Sequence, residues 1–125
     1  EALRIIVTEV RAAMQAGVCS VYLFDETDQR YVLTATKGLR EESIGKVRLA
    51  MREGLVGLVA AKEEPLNLED ADQHPNFAYF EETGESPFHS FLGVPIIHHR
   101  KVLGVLVLQQ QQFMVIKAKV QEPKL

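Results

Sequence analysis

The sequence predicts an α+β domain built on an antiparallel sheet of about six strands. The prediction rests on two pairs of apolar runs, one in the first half of the chain and one near its other end, each pair joined by a polar turn. Short polar turns between apolar runs are typical of antiparallel hairpins, and amphipathic segments before and between the hairpins add helices. The 125 residues suffice for one domain and leave no room for two.

Each element follows from the spacing of its apolar side chains. Recurrence every three or four residues assigns a helix, whereas a continuous or alternating run assigns a strand. In chain order, we predict a helix over residues 1–16, strands over 18–24, 31–36 and 46–49, a helix that begins at Gly54, a short edge strand over 66–68, and strands over 90–97 and 102–109.

Local features refine several of these elements. Gly17 stands where a left-handed residue would end the first helix. Residues 102–108 are apolar on both faces, which predicts a central strand covered on both sides, while the alternating charges of residues 46–49 are typical of an edge. Pro95 lies within a predicted strand, and because proline lacks a backbone donor it favours an edge or a bulge there.

Residues 69–89, before the second hairpin, show no regular periodicity. A stretch of this length without regular structure is more often a functional lid than a plain connector. Apolar strands beside a polar lid are typical of a small-molecule pocket. The candidate ligand-binding residues are the aromatic walls Phe77, Tyr79 and Phe91 and the polar anchors Asn67, Asp70, His74 and Ser90.

The lid residues also have a purely structural interpretation, which we keep open. Asp70 and Asp72 can cap a short helix and Phe77 can pack on the core, and a capped lid can still form a pocket wall. The Asp70 carboxylate suits an ammonium or amide donor of a ligand. For an α-carboxylate the lid offers only His74 and His89 as positive partners, besides backbone amides at a helix start.

Charge and missing motifs exclude several classes of function. The net charge of −3 gives no nucleic-acid footprint and no apolar run is long enough to span a bilayer, so neither nucleic acid nor membrane is an expected partner. Because phosphate-binding loops, a nucleophile elbow and metal-ligand spacing are all missing, we expect no catalytic residue, no metal and no cofactor in this domain. Cys19, in a predicted core strand, is expected to be buried and unreactive. A single cysteine makes a cytoplasmic location the default expectation.

Seven segments in a fixed order resemble the GAF family of sensory domains. The segments are CSVYLFD (19–25), ATKGL (35–39), EGLVGLV (53–59), PLNLEDA (65–71), HPNF (74–77), SFLGVPI (90–96) and LGVLVLQ (103–109). They are most similar to the N-terminal GAF domains of phosphoenolpyruvate–protein phosphotransferases of the nitrogen phosphotransferase system. GAF domains of nitrogen-fixation transcriptional activators share the general pattern and are an alternative.

The resemblance implies a GAF-like sheet with the terminal helices on one face and a lid over a ligand pocket on the other. Residues 1–112 would form the sensory domain, and residues 113–125 a C-terminal extension or the start of a linker helix. The resemblance also implies that phosphoryl transfer belongs to other domains of a longer chain. This domain would therefore regulate and not catalyse.

The resemblance further implies partners of three kinds. A nitrogen-status metabolite is the expected ligand, with glutamine or 2-oxoglutarate as the first candidates, and the catalytic domains of the same chain are expected to receive the signal. The third implied partner is a second copy of the chain, in a homodimer. The alternative function is a GAF module that dimerises or docks without a ligand, because the apolar stripe of the first helix is wide for one small core.

Overall fold

The computed structural model describes residues 2–75 and 90–110. Its elements are, in chain order, helix α1 (Ala2–Met14), strands β1 (Val18–Asp25) and β2 (Arg30–Lys37), a first 3-10 turn (Glu41–Ser43), strand β3 (Arg48–Ala50), helix α2 (Gly54–Lys62), strand β4 (Leu66–Leu68), a second 3-10 turn (Ala71–Gln73), and strands β5 (Ser90–His98) and β6 (Lys101–Gln110). The predicted extension at 113–125 and most of the predicted lid lie outside the described residues.

The six strands form one sheet in the order β3-β2-β1-β6-β5-β4, and every neighbouring pair is antiparallel. The predicted α+β class and the strand number are confirmed. β1 and β6 lie at the centre, and in β6 Val105 and Val107 are no more than 1% exposed. The two edges are the three-residue strands β3 and β4, as the alternating charges and the short apolar run predicted.

Pro95 lies in an internal strand, yet its surroundings agree with the preference of proline for positions where a strand has an unpaired edge. β5 pairs with β6 along its whole length, but with β4 only from Phe91 to Gly93. Within the described residues, the outer side of β5 therefore has no strand partner at Pro95. The N–H that proline lacks would have had no strand to pair with on that side.

Helix α1 ends earlier than predicted, and its left-handed residue is not Gly17. Gln15 has a φ of 54°, and the N–H of Ala16 donates to the carbonyl of Arg11 at 3.1 Å, which closes the last turn. The N–H of Gly17 donates instead to the carbonyl of Gln109 in β6, at 3.0 Å. Because Gly17 already pairs with the sheet, the helix has to end before it.

Strand β3 begins two residues later than predicted. Lys46 and Val47 both donate their N–H groups to the carbonyl of Ser43, at 2.9 and 3.2 Å, so their backbone belongs to the preceding turn. The carbonyl of Val47 accepts from Leu33 of β2 at 2.9 Å. Regular pairing with β2 starts only at Arg48, and from there successive side chains alternate between the two faces of the sheet.

The sheet carries one described helix on each face. On the face covered by α1, here the α1 face, the buried apolar side chains are Val7, Ala16, Cys19, Val21, Ala35, Leu92 and Leu108. On the face covered by α2, here the α2 face, they include Leu33, Leu49, Leu55, Val56, Val59, Phe91, Val105 and Val107. The C-terminal helix expected beside α1 lies outside the described residues. No helix in the described part is long and apolar enough to cross a membrane.

The turn between β5 and β6 contains two residues, His99 and Arg100, with φ values of 52° and 63°. Left-handed conformations at both central positions are those of a type I′ turn, whose twist matches that of a hairpin. Asparagine and glycine are the usual residues at these positions. This turn instead contains the larger side chains of His99 and Arg100, which therefore lie at the hairpin end of the sheet.

Candidate functional site

The second 3-10 turn, at the start of the predicted lid, packs on the α2 face. Ala71 of the second 3-10 turn is 2% exposed and belongs to the core of this face. Ser20 of β1 and Thr36 of β2 are register partners there, and their buried hydroxyl oxygens lie 2.9 Å apart. Because buried polar groups need partners, the two hydroxyls satisfy each other inside an otherwise apolar layer. We call this region, where β5 begins, the lid end of the α2 face.

Two tyrosines supply further hydroxyls on the same face. Tyr22 and Tyr31 are 7% and 6% exposed. Burial raises the pKa of both phenols, and the nearby carboxylate of Glu63 raises the pKa of Tyr31 further. Both hydroxyls are therefore neutral at physiological pH, where they can donate or accept hydrogen bonds but do not act as bases.

Asp70 and His74 flank the second 3-10 turn, which packs against β5. The carbonyl of Asp70 accepts from the N–H of Gln73 at 3.0 Å, but its exposed side chain makes no capping hydrogen bond. Asp70 thus does not cap this turn through its side chain, contrary to the structural interpretation that the sequence left open. His74 is half-buried, and its N–H donates to the carbonyl of Ala71 at 3.0 Å.

The alternation of side chains along β4 and β5 separates the other predicted anchors. Phe91 pairs with Leu68 on the α2 face, where it is 3% exposed within the core. Asn67 pairs with Leu92, which belongs to the α1-face core, so the exposed Asn67 lies on the α1 side of the edge strand. Asn67 and Phe91 therefore lie on opposite faces.

Ser90 also lies on the α1 face, because it precedes Phe91 by one residue and pairs with Gln110. The side-chain amide of Gln110 donates to the carbonyl of Gln15 at the end of α1, at 2.7 Å. Ser90 is 1% exposed, and its hydroxyl has no hydrogen-bond partner among the described residues. The structure thus gathers Asp70, His74 and Phe91 at the lid end and leaves Asn67 and Ser90 on the opposite face.

The remaining two predicted site residues, Phe77 and Tyr79, lie outside the described residues, as does the side chain of Asp72. Their predicted roles as aromatic walls and as a possible cap stay predictions.

A second concave region, which the sequence analysis did not identify, lies at the opposite end of the α2 face. We call it the hairpin-end cleft; it has a volume of about 360 Å³ and lies between α2, the loop before α2 and the β5–β6 turn. Its charged lining consists of Arg52, Glu63, Arg100 and Lys101, and its apolar lining includes Tyr31, Met51 and Val102. No local motif connects these positions, and only the sheet register brings them together.

The charges around the hairpin-end cleft are partly paired. The ammonium of Lys101 lies 2.8 Å from the carboxylate of Glu26. The hydrogen bond to Lys101 lowers the pKa of Glu26, and the same bond raises the pKa of Lys101. Both groups are highly exposed, so solvent screens this pair.

Cys19 is fully buried on the α1 face, as predicted, and burial raises the pKa of its thiol to about 11. The thiolate is the reactive form of cysteine, so this environment suppresses its reactivity at neutral pH. Within residues 2–75 and 90–110, no three His, Cys, Asp or Glu side chains come together as a metal site would require. His98 and His99 form an exposed edge-to-face pair with ring centroids 3.9 Å apart.

The sequence profile of the GAF domain matches residues 1–118 of this chain. The chain belongs to the GAF domain family. The resemblance carried by the seven segments is therefore confirmed, and the sheet with a helix on each face is the GAF fold of this chain.

Three similar proteins are phosphotransferase proteins or GAF domains of such proteins. A phosphoenolpyruvate-dependent phosphotransferase system protein of Escherichia coli strain K12 is 51% identical over 102 residues, which are 82% of this chain and 14% of that protein. The solved GAF domain of a phosphoenolpyruvate-protein phosphotransferase from Coxiella burnetii is 44% identical, with a TM-score of 0.85 over 91% of this chain and 68% of that one. Its counterpart from Acinetobacter is 47% identical, with a TM-score of 0.82 over 95% and 70% of the two chains.

This GAF domain thus spans about one seventh of its curated E. coli relative, 14% of that length. Its α2 face has two regions with different chemistry. The lid end combines a neutral hydroxyl pair with Phe91, and the hairpin-end cleft combines cations with apolar walls. The ligand-binding roles of the seven residues proposed from the sequence stay predictions.

Proposed function

We propose that this GAF domain is a regulatory small-molecule sensor in a cytoplasmic phosphoenolpyruvate-dependent protein phosphotransferase. The observation that carries the proposal is its similarity, at 44–51% identity, to phosphotransferase proteins and their GAF domains. Phosphoryl transfer then belongs to other domains of the protein. The GAF domain changes their activity by binding its ligand unequally in two states of the whole enzyme.

The lid end of the α2 face supports a ligand site. Small-molecule pockets combine apolar walls with a few placed polar groups. Phe91 supplies an apolar wall, the hydroxyls of Ser20 and Thr36 supply buried donors and acceptors, and Asp70 supplies a carboxylate at the base of the lid.

Glutamine and 2-oxoglutarate are the ligands we propose, as reporters of nitrogen status. The Asp70 carboxylate can accept from the ammonium or the amide of glutamine. Of Ser20 and Thr36, the hydroxyl that accepts in their mutual hydrogen bond keeps its own proton and can donate it to a carboxylate of either metabolite. Ser20 and Thr36 join Asp70, His74, Phe77, Tyr79 and Phe91 as the proposed ligand-binding residues, whereas Asn67 and Ser90, on the other face of the sheet, leave the proposed site.

Calorimetric titration of this chain with glutamine and with 2-oxoglutarate tests the ligand. We expect saturable binding of at least one of them, and much weaker binding of asparagine, which is one methylene shorter than glutamine. Absence of heat with both metabolites would remove the ligand assignment while leaving the family unchanged.

Asp70→Ala tests the site, and Ser90→Ala, on the other face of the sheet, is a control. Asp70 is exposed and the Ser90 hydroxyl has no described partner, so both variants should keep the melting temperature within about 2 °C of the wild type. We expect Asp70→Ala to weaken binding about tenfold, as loss of a hydrogen bond to a charged ligand group does, and Ser90→Ala to leave the affinity unchanged. Glu9→Ala, an exposed change on α1, is the matched control. Unfolding of Asp70→Ala with unaltered affinity in the folded fraction would instead assign this residue to local structure.

A second function, dimerisation or docking without a ligand, has its own support. Ile5 and Ile6 on α1 are 64% and 45% exposed, next to the buried Val7. Sedimentation of the wild type, Ile5→Glu and Ile6→Glu tests it, since a dimer that the charges dissociate supports this function and a monomer in every case argues against it. Val10, also in the predicted stripe, packs on the α1-face core, so a charge there would disturb the fold itself.

A further inference from the structure

We propose that the hairpin-end cleft binds a small organic anion through Arg52 and Arg100. Its volume of about 360 Å³ lies within the range of small-molecule sites. The cleft is formed by α2, the loop before it and the β5–β6 turn, at the opposite end of the sheet from the lid. It is therefore a second site, independent of the ligand proposed for the lid end.

The balance of charge in the cleft favours an anion. Four charged side chains line it, and one of them, Lys101, is paired with Glu26 outside the lining. In the part of the chain that the structure describes, neither Arg52 nor Arg100 forms an ion pair or a side-chain hydrogen bond. Glu63 can offset one of these two guanidinium groups but not both, which leaves the lining with an excess positive charge.

The backbone holds both arginines in place. Arg52 and Arg100 have left-handed conformations, with φ values of 71° and 63°. A Cβ atom at Gly57 would lie 2.7 Å from the backbone nitrogen of Arg52, so the close contact of α2 with this loop requires glycine. Arg100 is fixed as the second central residue of the type I′ turn. Of the six non-glycine residues with positive φ in the described ranges, three line this cleft, namely Arg52, Glu63 and Arg100. Such conformations are enriched at ligand-binding sites.

The side chains define the chemical class of the ligand. A guanidinium group presents a planar fork of donors that matches a carboxylate or a phosphate. Beside the arginines, Ala60 and Val102 form an apolar wall, and the protonated hydroxyl of Tyr31 adds a neutral donor or acceptor. The ligand is thus an acidic group, or two of them, on a short carbon skeleton.

NMR titration of the ¹⁵N-labelled chain with succinate, phosphoenolpyruvate and inorganic phosphate tests this proposal. We expect saturable shifts at the amides of Gly57, Arg100 and Val102, with millimolar or tighter affinity. Binding of succinate alone assigns carboxylates to the site, whereas binding of the two phosphate compounds alone assigns a phosphoryl group. The proposal would be overturned if none of the three compounds caused a saturable shift at concentrations up to about 20 mM, which exceed the weakest affinity relevant to a metabolite.

Variants locate the binding. Arg52→Gln and Arg100→Gln should each weaken binding by at least about tenfold, and Arg100→Lys, which keeps the charge but loses the fork, should fall between Arg100→Gln and the wild type. Arg40→Gln, an exposed change elsewhere, is the control and should bind normally. Should Arg52→Gln disturb the loop beside α2, Arg100→Gln decides, because its turn is exposed.

The result also separates the two proposed sites. Wild-type affinity in folded Arg100→Gln would overturn the hairpin-end site. Shifts confined to Ser20, Thr36 and Phe91 would do the same and would support the lid-end sensor instead. Shifts at the hairpin-end cleft, with no shifts at Ser20, Thr36 and Phe91 on addition of glutamine or 2-oxoglutarate, would support this inference and count against the ligands of the proposed function.

Discussion

At the scale of single residues, the thiol of Cys19 is governed by its burial. The residue is fully buried between the central strands and α1, and its thiol has a pKa of about 11 in place of its usual 9.0. Because the folded state holds the proton more tightly than the unfolded state, this residue contributes stability that is complete below pH 9 and is lost as the pH rises towards 11.

We therefore expect the free energy of unfolding to fall between pH 9 and pH 11 by about 2 kcal/mol more in the wild type than in Cys19→Ala. Urea unfolding at several pH values measures this difference. The comparison with Cys19→Ala removes the titration of other groups, notably the two buried tyrosines. Parallel pH profiles of the two proteins would contradict the prediction, as would rapid alkylation of the native thiol at pH 7.

The burial of Cys19 could be predicted from the sequence because its cause is local. The apolar neighbours Val18 and Val21 indicate a buried strand without reference to the rest of the chain. Arg52 and Arg100 offered no such signal. They are 48 positions apart in the sequence, and their common cleft exists only because α2 and the β5–β6 turn meet at one end of the sheet.

At the scale of elements, the contact between α2 and the loop before it depends on Gly57. A Cβ atom there would lie 2.7 Å from both the nitrogen and the carbonyl carbon of Arg52. In an isolated helix, alanine at this position would be about 1 kcal/mol more favourable than glycine. Here the loop would have to move.

Gly57→Ala is therefore expected to destabilise the domain by about 2 kcal/mol, since overpacking outweighs the gain in helix propensity. Denaturant unfolding measures the change. Ala61→Gly, at an exposed position of the same helix, is the matched control and should cost about 1 kcal/mol through propensity alone. A Gly57→Ala variant that is more stable than the wild type would contradict the close contact.

The elements themselves could largely be predicted from apolar periodicity, but their ends could not. Helix α1 ends at Met14 and β3 starts at Arg48 because backbone hydrogen bonds take precedence over the side-chain pattern. The carbonyl of Gln109 accepts from Gly17, and the carbonyl of Ser43 holds Lys46 in a turn. The first acceptor is distant in the sequence, and the second, three residues before Lys46, closes a local turn that the alternation of side chains does not indicate.

The candidate site was harder to predict because adjacent residues in a strand face opposite ways. Position in the sequence groups Ser90 with Phe91, whereas the alternation of side chains along β5 puts them on different faces of the sheet. Register depends on pairing across the whole sheet, and the sequence of one strand does not contain it.

At the scale of the whole molecule, the strand order predicts a gradient of local stability. β1 and β6 are paired on both sides and contribute buried side chains to the cores of both faces, whereas β3 and β4 are three-residue edges. Opening of a central strand requires disruption of both cores, so we expect its amides to exchange only through global unfolding.

Amide exchange should therefore be at least about a hundredfold slower at Val21 and Val107 than at Leu49 and Leu68, as expected for global against local opening. Native-state exchange followed by NMR measures these rates under one set of conditions. The control is denaturant: the rates at Val21 and Val107 should rise with urea along the global unfolding curve, and those at Leu49 and Leu68 should not. Uniform rates would contradict the gradient.

Beyond Gly93, the outer side of β5 faces no strand in the described part of the chain, and its residues there include the partly or largely exposed Val94, Ile96 and Ile97. An open apolar edge of this kind can recruit strands from other molecules and seed aggregates. Pro95 interrupts that edge because it offers no N–H to an incoming strand. Pro95→Val should keep the native fold but shorten the lag before aggregation on incubation near the melting temperature, followed by light scattering, while Pro65→Val, outside the strands, should not. The residue that fits least well in a strand would then be the one that keeps separate copies of this domain from joining their sheets.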